Sequence, residues 1–168
     1  MNDDKLFAWL ASVKGDPLAF VMGAFPWNEP GTVLENSSGP EQWACDLMNR
    51  IRDGLVDINT AIQEAIASGH GIAKSATVAQ LTLWAFCTFP DTRGVITANT
   101  ETQLKTKTWA ELGKWFNLCF FARDHYTLTT FVHNISFVFC KSFDHLIYYP
   151  AFKIQCCHCL CLLSVYWW

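Results

Sequence analysis

Apolar residues recur at helical spacing in the opening stretch, where Leu6, Trp9, Leu10 and Val13 fall on one side of a short amphipathic helix that Gly15 ends. Asp16-Pro17 follows with the cap and first-turn residues of a second helix, which carries Leu18, Val21 and Met22 toward Phe25-Pro26-Trp27. Residues 28–39 are rich in Pro, Gly, Ser, Asn and Glu and poor in apolar content, and this predicts an exposed, disordered connection. Pro40 opens a third helix with Trp43, Leu47 and Ile51 four residues apart. Arg50 and Arg52 stand in its last turn, where cations suit the helix dipole, and Gly54 stops it.

The period then changes. Ala61 to Ala67 is a small, apolar run that predicts a buried strand, with helix as the rival because alanine favours it. Ser75 to Phe86 returns to helical spacing through Val78, Leu81 and Ala85, and Phe89-Pro90-Asp91 closes the helix because proline cannot continue it. Arg93 to Ala98 is a second β-rich run. Thr100 to Phe116 is predicted as one helix with Leu104, Thr108, Leu112 and Trp115 on a single stripe, capped by Asn99 or Thr100, with Glu101 and Lys105 as an i, i+4 pair. Lys105, Lys107 and Lys114 on that helix form a solvated face and are not assigned to DNA.

Between the first predicted strand and the helix after it lies Ser68-Gly69-His70-Gly71-Ile72-Ala73-Lys74-Ser75. Small residues in such a turn let backbone N–H groups approach a polyphosphate, a lysine reaches its β- and γ-phosphates, and a serine hydroxyl ligates Mg²⁺. Lys74 and Ser75 stand where those roles need them, while Ser68 and Ala73 occupy the two frame positions that the pattern gives to glycine. The same eight residues also suit an ordinary turn before a helix. The order strand, turn, helix, strand within about one βαβ length is the context a phosphate-binding turn requires.

With Thr97-Ala98-Asn99-Thr100-Glu101-Thr102-Gln103-Leu104 and Lys105-Thr106-Lys107-Thr108-Trp109, that turn resembles the ATPase domain of phage and prophage terminase large subunits, which are DNA-packaging motors. The resemblance extends upstream to Asp16-Pro17-Leu18, Phe25-Pro26-Trp27 and Gly39-Pro40, and so covers roughly Leu6 to Phe116. It implies a P-loop NTPase-like α/β fold, ATP and Mg²⁺ as cofactors, and Ser68 to Ser75 as the nucleotide cradle with Ser75 toward the metal. It implies Trp43 as a wall or stacking residue on the adenine side, set against core packing as the plainer role of a large residue on a buried helical face. Viral DNA, the small terminase subunit and the portal are the implied partners, and the bacterial cytoplasm the implied location. Two departures weaken nucleotide binding: the family has glycine where Ala73 stands, and glutamine after the tryptophan where this chain has Ala44.

Composition adds a boundary. The chain has 168 residues and a net charge of −3, so it can form one domain with a core and carries no basic footprint for nucleic acid. Its start, Met1-Asn2-Asp3-Asp4-Lys5, is acidic and has no apolar signal core after it, which is cytoplasmic in character. No glycine occurs after Gly113, and the final fifty residues lack glutamate while holding six of the eight cysteines, four of the five histidines and all four tyrosines. At ordinary usage about three or four glycines belong in such a stretch. The expected organisation is therefore a helical lead-in over 1–57, a partial βαβα unit over 58–118, and a Cys- and aromatic-rich tail over 119–168 that is not selected for a fold.

Three accounts of the tail are weighed. Cys156, Cys157, His158, Cys159 and Cys161, with Cys140 and His145 upstream, are soft ligands for zinc, but only Cys156 and Cys159 have the spacing of a ligand pair. Ile154 to Trp168 is uncharged and ends in Tyr166-Trp167-Trp168 like an interfacial belt, yet it is too short to span a bilayer. The economical account is a frameshift between Leu118 and Phe131, after which His125 to Thr130 still faintly resembles the family's continuation.

Hydrolysis needs more than a cradle: a carboxylate at the end of a neighbouring strand must fix the metal, and another group must orient the attacking water. After Glu111 the only acids are Asp124 and Asp144, and neither ends an apolar run followed by a second carboxylate. The expectation is a truncated terminase ATPase-domain fragment, inactive alone. The rivals are a small interaction protein that binds terminase subunits through its N-terminal helices, and a membrane-associated product of the tail.

Overall fold

The computed structural model describes residues 2–57, 61–66, 73–90, 92–98, 102, 104–125, 135–139, 152–156 and 162–166. It is a mixed α/β arrangement in which helices enclose the core. Helix α1 spans Asp3–Val13, and its N-cap Asn2 accepts a hydrogen bond from the Lys5 amide at 3.1 Å. Helix α2 spans Pro17–Ala24 with Pro17 in its first turn, and Asp16 caps it by accepting from the Ala19 amide at 2.9 Å. Gly23 leaves room for a close neighbour, since a Cβ there would lie 2.8 Å from Cζ2 of Trp9. Helix α3 spans Gln42–Gly54, so it begins two residues after Pro40, and buries Ala44, Leu47, Met48 and Ile51.

Strand β1, Ile62–Ile66, comes next, followed by helix α4 over Lys74–Thr88 and strand β2 over Arg93–Ala98. Helix α4 is the centre of the core. Leu81, Leu83, Trp84 and Ala85 are wholly buried in it, and Trp84 donates from Nε1 to the Val13 carbonyl at the end of α1 at 3.3 Å. Burial of a large apolar side chain is worth about 1.5–3 kcal/mol, so Trp84 and Phe20, both at 0% exposure, are major anchors. One buried cluster runs from Leu6 to Ala122 and draws on both 1–57 and 58–118.

Three expectations change. Residues 28–39 are not a structureless connection: the Asn28 amide donates to the Leu34 and Ser37 carbonyls at 3.1 and 3.0 Å, Thr32 Oγ1 donates to the Glu29 carbonyl at 2.9 Å, and Leu34 is buried. Asn28 and Gly31, at φ 57° and 80°, supply the left-handed turns that make this possible. The single helix expected to Phe116 is instead a π-helical segment, Leu104–Trp109, continuing as α5 over Ala110–Leu118. The wider π turn keeps Leu104 and Thr108 on the buried side before the stripe continues through Leu112 and Trp115. Helix α6, Ala122–His125, then closes the helical part, while Glu101 lies outside the described residues.

The third change concerns the tail, where β3 (Ile135–Phe139), β4 (Phe152–Cys156) and β5 (Leu162–Tyr166) form. With β1 and β2 they make a five-stranded sheet in the order β1-β4-β5-β2-β3. Pairing is parallel for β1 with β4 and for β2 with β3, and antiparallel for β5 with both β4 and β2. The tail lacks clean periodicity, yet Phe, Val, Ile and Tyr carry high β-propensity, and main-chain bonds to an unpaired strand edge require no particular side chain. Among the described residues no helix is long and apolar enough to cross a membrane.

Candidate functional site

The described part of the eight-residue turn is its last three residues, Ala73, Lys74 and Ser75; Ser68, Gly69, His70, Gly71 and Ile72 lie outside the described residues. Ala73 is the N-cap of α4 and adopts the left-handed conformation, φ 57° and ψ 21°. A Cβ in that region costs roughly 1–2 kcal/mol, which is why glycine suits the position. The departure noted in the sequence therefore falls on a residue whose backbone is held in the glycine-preferred state. Its side chain is a methyl and offers no oxygen to the first-turn amides, so α4 begins without a side-chain cap.

A helix N-terminus carries partial positive charge and amides that point out along the axis without intrahelical acceptors, the physical basis of anion binding. Lys74 is the first residue of this helix and is only 6% exposed. Ser75 behind it is half-buried and Thr77 is buried at 3%. Thr77 binds the carbonyl of Ala73 twice, through its amide at 3.0 Å and through Oγ1 at 3.2 Å.

Helix α3 runs alongside β1 in the opposite direction. A Cβ on Gly54 would meet Cγ1 of Ile62 at 2.7 Å, and Nε of Arg50 binds both Glu64 carboxylate oxygens at 3.2 and 3.1 Å. Four residues of helix and two of strand each advance about 6 Å, so this register continues toward the N-terminal end of α3 as β1 approaches Ile66. Trp43 is in the first turn of α3. It packs half-buried against the core, and its Nε1 is buried with no acceptor among the described residues. Ala44 beside it is 1% exposed and contributes packing alone.

Ala73, Lys74 and Ser75 stand together at the N-terminal end of α4, and no described contact joins Trp43 to them. The Arg50–Glu64 clasp and the Thr77 hydroxyl were not singled out from the sequence. For Thr77 a local signal existed, because threonine four residues after an N-cap can return its hydroxyl to that carbonyl. Arg50 and Glu64 are fourteen residues apart and no local rule pairs them.

Other candidate chemistry is less developed. Lys107 and Lys114 are exposed, and Lys114 pairs with Glu111 at 3.5 Å while lying 5.7 Å from the Trp115 ring centroid. Asp124 is exposed in α6, and Asp144 lies outside the described residues. Of the tail ligands, Cys156 belongs to β4, whereas Cys140, His145, Cys157, His158, Cys159 and Cys161 lie outside the described residues. Among the described residues no group of three His, Cys, Asp or Glu is placed to hold a metal. Comparison with protein-family models, with curated proteins and with solved structures gave no match to this chain.

Proposed function

We propose that this chain carries a weakened Mg-nucleotide site of the DNA-packaging type, as a fragment of a terminase large-subunit ATPase domain that is inactive alone. The observation that supports this most is the left-handed Ala73 at the head of α4 with Lys74 buried directly behind it. Ala73 thus stands at the glycine-favouring frame position directly before Lys74, and the sequence ahead of it is Ser68-Gly69-His70-Gly71-Ile72. Bound there, Mg-ATP supplies the phosphoanhydride and the divalent charge. Lys74 would neutralise β- and γ-phosphate oxygens, and the Ser75 hydroxyl would face the metal.

The donor set fits such a ligand in one respect: the N-cap residue, Ala73, offers no side-chain acceptor to the first-turn amides, which gain from an anion. Turnover is a separate matter, because no acidic pair after Glu111 is spaced to hold the metal and activate water. Viral DNA, the small terminase subunit and the portal enter this proposal as partners of the whole motor, with the bacterial cytoplasm as the setting.

Calorimetric titration of the purified chain with Mg-ATP tests the proposal. Weak, Mg²⁺-dependent binding is expected, lost in Lys74→Ala and strengthened several-fold in Ala73→Gly, since glycine relieves about 1 kcal/mol of strain at that φ. Equal affinity in the native chain and both variants would remove the phosphate role, and sustained hydrolysis at a motor-like rate would remove the inactive-fragment reading. At the gene level, codons after Leu118 read in another frame are expected to yield a strand ending in an acidic pair. Two frames that stop at once would count against the frameshift.

A further inference from the structure

A side chain outside the eight-residue pattern holds the bend that leads into α4. We propose that Thr77 is a positioning residue for the N-terminal end of α4, clamping the Ala73 carbonyl so that the left-handed bend before Lys74 and Ser75 persists; its consequence for ligand affinity rests on the nucleotide reading above. Thr77 is 3% exposed, and its Oγ1 donates to the Ala73 carbonyl at 3.2 Å beside the ordinary helical bond from its amide at 3.0 Å. Alanine at φ 57° is strained, and the chain can shed that strain by unwinding the first turn of α4. Unwinding would scatter the Lys74 and Ser75 amides, which point out of the helix end together only while the first turn is intact. Two bonds into one carbonyl oppose it.

The position in the helix separates this role from generic packing. Thr82 and Thr88 make the same hydroxyl-to-carbonyl bond, to Val78 and Trp84, each at 2.7 Å. Neither acceptor has a positive φ, and Thr82 is wholly buried, so it reports what loss of such a hydroxyl costs away from a strained residue.

The experiment makes Thr77→Val, Thr77→Ser and Thr82→Val, each in the native chain and in the Ala73→Gly chain. It reads Mg-ATP affinity by calorimetry and, without ligand, hydrogen exchange of the residue-77 amide. In the native chain Thr77→Val is expected to weaken Mg-ATP roughly fivefold, the equivalent of one net hydrogen bond, and to speed that exchange by a similar factor. Thr77→Ser is expected to restore both. In the Ala73→Gly chain the valine effect is expected to shrink to less than about twofold, since glycine holds the bend without help. Thr82→Val is expected to lower the melting temperature and leave both readouts unchanged. Equal Thr77→Val effects in the two backgrounds, or the same effects from Thr82→Val, would overturn the proposal. Coupled exchange with no Mg-ATP binding in any variant would leave the clamp standing and remove the nucleotide reading.

Discussion

At the scale of single residues, two buried polar groups show how position decides chemistry. An indole N–H buried without an acceptor costs about 1–3 kcal/mol, and Trp43 Nε1 is such a donor among the described residues. Trp43→Phe keeps most of the packing and removes the donor, so the ligand-free chain is expected to gain about 1 kcal/mol in a denaturant melt. If the indole is a wall of the adenine side, the same variant loses Mg-ATP affinity; a gain in stability with unchanged affinity would make Trp43 a packing residue only. The second group is Cys119, 1% exposed at the end of α5, whose thiol burial pushes up from 9.0 to about 11. A raised thiol pKa leaves stability intact below the unfolded value. Between about pH 9 and 11 the unfolded chain releases a proton that the folded one retains, and stability falls by up to about 3 kcal/mol. Burial also raises Cys87, which deepens the alkaline loss. Melts at stepwise alkaline pH check this, and Cys119→Ala is expected to flatten the decline.

The elements divide by how local their causes are. Helix α1 was legible from the spacing of Leu6, Trp9, Leu10 and Val13, although its cap at Asn2 was not read, and α2 from Asp16, which caps its own amides, and Pro17, whose missing N–H does no harm in the first turn. Strands β1 and β2 were legible from composition and punctuation, but β1 is not the buried strand expected: its residues alternate between half-buried and exposed, because Gln63 and Glu64 sit within the apolar run. The ordered turns of 28–39 were hidden because their polar residues satisfy one another, and composition alone cannot distinguish that from solvation by water. The π segment was hidden because Leu104, Thr108 and Leu112 keep a spacing that an α-helix also tolerates. Contacts between elements were the least legible, and α3 against β1 is the example. A Cβ on Gly54 would fall 2.7 Å from Ile62 Cγ1, so Gly54→Ala trades about 1 kcal/mol of helix propensity against about 1–3 kcal/mol of overpacking. A net loss of about 1 kcal/mol is expected in a chemical melt. With Ile62→Ala in place the sign is expected to reverse, and a loss of equal size in both backgrounds would show that the two side chains do not meet.

For the whole molecule, the sheet sets the tail against the helical body. Every strand pairing among the described residues includes a tail strand: β1 pairs with β4, β2 with β3 and β5, and β4 with β5. Among the described residues of 1–125, Ile62 to Ile66 and Arg93 to Ala98 therefore have no strand partner, although the buried cluster of Leu6 to Ala122 lies within that span. Such a division explains why the helix that begins at Lys74 was readable while the sheet around it was not. Lys74 and Ser75 follow from a local pattern, whereas Ile96 opposite Leu163 joins residues far apart in the chain. It also gives the last prediction a definite form. A chain ending at His125 is expected to keep its helical circular dichroism, because α1 to α6 pack on one another. It is also expected to expose both edges of β1 and β2, whose unpaired N–H and C=O groups then recruit other chains. Gel filtration should show self-association, and the thermal transition should be broader and lower than that of the full chain. A monomeric 1–125 that melts as sharply and as high as the full chain would show that β3, β4 and β5 add nothing to stability, and that the helical body is the folding unit.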